Sequence, residues 1–142
     1  MSGLGRAARC VLLASWLLSA AATAAPHDGM AGVPARLRPC LAARNGMGAP
    51  ADPAAGRRCL RQLAQTGEPA AMFLLAQMLM DGDGGPRDDA AARAWLERAA
   101  ELDYPEALQE LALGEPDPQR AASLMRAAAH ALAHRAHAVD RH

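Results

Sequence analysis

The chain has 142 residues, enough for one domain once a targeting segment is set aside. Its 15 basic residues, all arginine, balance 15 acidic ones, so it lacks the basic stripe of a nucleic-acid binder. Hydrophobic residues make up 51% but aromatics only 3%, so the core must come from close helix contacts rather than bulky rings.

Residues 1–24 read as a cleavable signal peptide. Arg6 and Arg9 give a positive start, residues 11–22 an apolar run too short to span a bilayer comfortably, and Ala22-Thr23-Ala24 a small-x-small cleavage site. An uncleaved anchor is the alternative; after cleavage no stable membrane insertion is expected. Cys10 precedes the apolar run and leaves with the signal. Residues 25–35 carry turn and breaker residues and read as a flexible leader.

A first helix is expected from about Arg36 to Arg44, with Pro39 as a weak point. Its partner runs from about Pro53 to Thr66, with Asp52 as cap and Pro53 at the tolerated first position. Residues 69–80 are nearly all apolar, with Ala71, Leu75, Ala76 and Leu79 at helical spacing. The glycines and proline of residues 81–86 favour a turn, and Asp88 caps the helix that follows. There Ala92, Trp95, Ala99 and Ala100 form the apolar stripe, and Trp95 supplies the large buried area. Pro105 opens a fifth helix. Asp117-Pro118 opens a sixth, expected to reach about Ala136, with residues 138–142 a disordered tail.

These signals recur at an offset of 36 residues. Pro69, Ala71, Leu75 and Ala76 become Pro105, Ala107, Leu111 and Ala112. Upstream, Gly82, Gly84, Pro86 and Asp88 become Gly46, Gly48, Pro50 and Asp52, and Leu96 becomes Leu60. The third copy has lost about seven residues from its turn, so Asp117 stands in the place of Asp88 and Leu124 in that of Trp95. The chain therefore reads as all-α, about three antiparallel helix hairpins over residues 36–137, with repeats at about 36–67, 69–103 and 105–134.

Cys40 and Cys59 fall on facing core positions of the first hairpin. In an exported chain they suit a disulfide, worth on the order of 3 kcal/mol for a loop of about 20 residues. A free buried pair and a redox pair are the rival readings; the wide spacing argues against a CxxC-type redox site.

The central hairpin resembles the Sel-one-like repeat family, a class of tetratricopeptide-type α-solenoids. The resemblance rests on Ala71, Leu75-Ala76, Leu79, the Gly82-x-Gly84-Gly85 turn, Asp88, and Ala92-x-x-Trp95-x-x-Arg98-Ala99-Ala100. Ala76 stands where the family has glycine, Leu79 where it has an aromatic, and Gly85 where it has valine, a change expected to loosen the turn. The short third copy resembles a terminal cap. The resemblance implies a stack of helix pairs whose concave face binds proteins or peptides, and exported bacterial relatives that regulate envelope processes. A cysteine-rich branch is associated with β-lactams.

Within that frame, the first helix of the central hairpin is apolar nearly all round, which implies burial on several sides or a partner. Met72 and Met80 are expected at a binding groove, with Gln77 and Gln109 adding specificity. His130, His134 and His137 lie on one side of the last helix at spacings that let imidazoles share a metal; a solvated helix end is the alternative. The glycine turn lacks the strand and lysine of a phosphate loop, and Asp81, Asp83, Asp88 and Asp89 lack the spacing of a calcium loop. Ser123 and Thr66 have no paired base in sequence. The expectation is a non-enzymatic adaptor of the bacterial periplasm, or a secreted one, with no cofactor. Its partner is an envelope protein or peptide, and self-association is open to it. A β-lactam-interacting enzyme and a histidine metal-binder are the alternatives.

Overall fold

Proline and aspartate punctuation sets the helix boundaries. In the computed structural model, which describes residues 32–139, a 3-10 turn at Ala35–Leu37 leads into α1 (Arg38–Asn45), α2 (Pro53–Gln65), α3 (Pro69–Asp81), α4 (Asp89–Glu101), α5 (Pro105–Leu113) and α6 (Pro118–Val139). Four of these start on proline, whose fixed φ suits a first turn and whose missing N–H has no intrahelical partner there. Asp52 and Asp88 cap α2 and α4, accepting from the backbone N–H of Ala55 at 2.8 Å and of Ala91 at 2.9 Å. Asp117 accepts from Gln119 N–H at 2.9 Å at the start of α6. Pro39 lies in the first turn of α1, because the α-helix proper begins at Arg38, and so it interrupts nothing. Residues 138 and 139, expected in the tail, are still helical; the signal segment and residues 140–142 lie outside the described residues.

The dominant contacts run between neighbours in sequence: α1 with α2, α2 with α3, α3 with α4, α4 with α5 and α5 with α6. The described residues contain no strand, and the result is a short α-solenoid of three hairpins. The central α3 is covered from both sides and buries Ala70, Ala71, Met72, Leu75, Ala76, Met78 and Leu79. Fully buried alanines at 71, 76, 92, 99 and 107 let the helices approach closely. In the first hairpin even alanine is too large at one point, since a Cβ on Gly56 would lie 2.7 Å from Arg44 Cβ. The Cys40–Cys59 disulfide joins α1 to α2, with Cα atoms 5.3 Å apart.

Trp95 is not the buried anchor of α4. It is only partly buried, with the Arg98 guanidinium 4.9 Å from its ring centroid, while the next residue, Leu96, is 4% exposed. Leu96 matches Leu60, which is also buried, so the core stripe of α4 is Ala92, Leu96 and Ala99, with Leu96 rather than Trp95 as its large member.

The turn between α3 and α4 joins the repeats. It folds back onto the first hairpin, where Gly84 (φ +73°) meets the backbone of Pro53 and Ala54 so closely that a Cβ would collide with the Pro53 carbonyl. Arg57 reaches out from α2 beneath the turn, donating from Nη2 to the Pro86 carbonyl at 2.9 Å and from Nη1 to the Asp83 carbonyl at 3.5 Å. Arg44 pairs with the Asp83 carboxylate at 2.7 Å. Gly85 does not loosen this turn: a Cβ there would lie 2.6 Å from Arg57 Nη1, so glycine makes room for the arginine.

Candidate functional site

The first helices α1, α3 and α5 present equivalent positions at the 36-residue offset. Leu41, Gln77 and Leu113 form one such row; the first two are partly covered and Leu113 is 74% exposed. Leu74 and Glu110 form part of a second row and are half-buried. This face mixes apolar and polar groups.

The structure separates the four groove candidates. Gln77, Gln109 and Met80 are half-buried and have surface to offer. Met72 is 5% exposed and belongs to the core cluster with its α3 neighbours Leu75, Ala76 and Leu79. It anchors packing and cannot reach a partner without unpacking α3.

Met80 instead lines a cleft of about 390 Å³ with Leu113, over a floor that includes Leu96 and Leu111 and beside a rim that includes Arg93 and Glu110. Arg93 donates to Glu97 at 3.0 Å and lies 3.8 Å from Glu115, and its side chain remains 52% exposed. The cleft opens because α5 stops at Leu113 and α6 begins at Pro118. Four residues connect them, too few to fold back as the turn of the central hairpin does. Arg93, Leu96 and Leu113 were not among the sequence candidates. Their signal was the shortened third turn, read there only as a cap.

The remaining candidates fall elsewhere. His130 and His134 face each other with Nε2 atoms 3.2 Å apart, at the rim of a cleft of about 740 Å³ that also includes Glu68, Asp103 and Tyr104. Among the described residues no three His, Cys, Asp or Glu side chains are grouped closely enough to hold a metal ion, so His137 does not complete a site with the pair. In the same region Arg135 donates to both oxygens of Glu106, at 2.7 and 2.9 Å, which holds the Glu106 carboxyl below its ordinary range. Burial raises the Tyr104 phenol. A third cleft, of about 520 Å³, has Arg58, Arg61 and Trp95 on its walls. Ser123 and Thr66 donate their hydroxyl protons to the carbonyls of Arg120 and Leu63, local contacts that set up no nucleophile. No helix among the described residues is long and apolar enough to cross a membrane.

The Sel1 repeat family matches residues 41–67, 69–104 and 107–131, together more than half of the chain. Among solved structures, a Sel1 repeat protein from Oxalobacter formigenes superposes with a TM-score of 0.64 at 25% identity, over 68% of this chain and 42% of that one. The chain therefore spans less than half the length of that relative. No curated protein matches it.

Proposed function

The chain belongs to the Sel1 repeat family, and on that premise we propose that it is a protein- or peptide-binding adaptor of the bacterial cell envelope, working through the face of its first helices. Sel1 repeats generally mediate protein–protein interaction. The observation that carries the reading here is the uncovered apolar surface at Met80 and Leu113, which share one open cleft; the half-buried Gln77 and Gln109 lie on the same two helices. Export is supported by the signal-like residues 1–24 and by the Cys40–Cys59 disulfide, which favours an oxidising compartment such as the periplasm.

The test is a pull-down from envelope extract, comparing wild type with a Gln77→Arg/Leu113→Glu variant. Neither position is buried, so circular dichroism should show an unchanged helical fold. A partner retained by wild type and lost by the folded variant is the expected result. Equal recovery by both, or no specific partner with either, would sink the reading.

A further inference from the structure

We propose that the Met80–Leu113 cleft is a docking site for a glycine-containing turn of a partner protein, gripped by Arg93 as Arg57 grips this chain's own turn. The inference rests on the reading of the chain as a protein-binding repeat and names what the repeat binds.

The chain contains a worked example of the contact. At the 36-residue offset, Arg44, Pro53, Arg57 and Leu60 of the first hairpin correspond to Met80, Asp89, Arg93 and Leu96 of the second. The first set is roofed by residues 83–86: Arg57 donates to two carbonyls of that turn and Gly84 rests on Pro53. The second set lines the open cleft: the third hairpin's four-residue connection brings only Gly114 to its lining and Glu115 beside Arg93, and lays no turn across it. The difference shows in the two arginines. Arg57 is 6% exposed beneath its turn, whereas the Arg93 side chain is 52% exposed, donating to the exposed Glu97 and lying 3.8 Å from Glu115, a largely buried carboxylate of the short third connection.

The equivalence also specifies the occupant. Its backbone must come as close to α4 as Gly84 comes to α2, which selects glycine at that point. Its carbonyls must face Arg93, whose guanidinium has donors for two of them. One side chain must differ from the internal example. Asp83 pairs with Arg44, but Met80 stands in Arg44's place, so an apolar residue fits there better than an acid. A second copy of this chain does not meet the requirement through its own turn, because that turn is already seated on its own first hairpin.

The probes are two synthetic peptides: the chain's own turn, residues 81–88, and an analogue with leucine in place of Asp83. Each is titrated into isotope-labelled protein while backbone amide shifts are followed by NMR. Saturable shifts centred on Met80, Arg93, Leu96 and Leu113 are expected, with the leucine analogue at least threefold tighter. Arg93→Met should weaken it at least fivefold. Alanine in place of the peptide's central glycine, at the Gly84 position, should abolish the shifts. Absence of shifts, shifts elsewhere, or binding unaffected by Arg93→Met would overturn the proposal. So would an amphipathic helical peptide that occupies the cleft when neither turn peptide does. A partner lost by the Gln77→Arg/Leu113→Glu variant, with neither turn peptide binding, would remove this inference and leave the adaptor reading standing.

Discussion

Replacing Gly84 with alanine tests how the first two repeats are joined. The residue has φ +73°, in the left-handed region where a side chain costs about 1 kcal/mol. The new Cβ would also sit 2.6 Å from the Pro53 carbonyl carbon and 2.9 Å from Ala54 N. Those are backbone atoms of the first turn of α2 and cannot rotate aside, so the turn must lift. Lifting it breaks the 2.9 Å Arg57–Pro86 hydrogen bond, a charged-donor bond of about 1.5–3 kcal/mol, and leaves a buried guanidinium without that acceptor. The partly exposed Arg44–Asp83 pair adds about 0.2–1 kcal/mol. The expected total is about 3–5 kcal/mol. Gly48 is the control: its φ is +84°, but nothing lies within 4 Å of where a Cβ would stand, so alanine there costs only the backbone penalty of about 1 kcal/mol. Urea unfolding of both variants, with the disulfide intact, measures the difference. Equal destabilisation would refute the idea that the turn is clamped to the first hairpin.

Two further outcomes follow from the same contacts. Reducing Cys40–Cys59, which closes a loop of 19 residues in sequence separation, should destabilise the first hairpin by about 3 kcal/mol, because only Leu37, Cys40, Leu60 and Ala64 are its buried apolar residues. Hydrogen exchange should then show amide protection in α1 falling on the order of 100-fold while α3 is little changed; uniform loss along the chain would contradict nearest-neighbour stacking. Glu106 titrates below its ordinary value of 4.5 because Arg135 hydrogen-bonds the carboxylate. A lowered folded-state pKa gives stability that is present above 4.5 and lost as pH falls through the lower value. Both side chains are at least a third exposed, so solvent screening limits the effect to about 0.5 kcal/mol. Comparing melting temperatures of wild type and Glu106→Gln between neutral and strongly acidic pH should show the gap closing on acidification; a constant gap would rule the ion pair out as its source.

Helix boundaries were legible because their causes are local. A proline at a first turn or an aspartate at a cap acts through its own φ or its own carboxylate, and Asp52, Pro53 and Asp88 do as their chemistry requires. Side-chain direction was less legible. Trp95 is the largest apolar residue of α4, but size does not choose the buried face; the helix orientation set by Ala92 and Ala99 does, and it turns Leu96 inward. Met72 failed in the opposite sense. An all-apolar α3 does not reveal which residues face its neighbours, and position 72 is enclosed while position 80 is at the end of the helix, where cover runs out.

The cleft was hidden for a different reason: it is made by residues that are missing. The shortening after Leu113 can be read directly, but its consequence falls on Met80 and Arg93, in the preceding repeat. In a stack where each unit roofs the one before it, a deletion in one repeat uncovers the surface of its neighbour. The internal precedent makes that surface interpretable, since the first hairpin shows the same positions covered and the second shows them open. A terminal unit that only capped the core would leave no such opening. This one encloses Leu108 and Leu111 while leaving Leu113 at 74% exposure beside Met80, so the same shortened repeat covers part of the core and leaves a cleft at its edge.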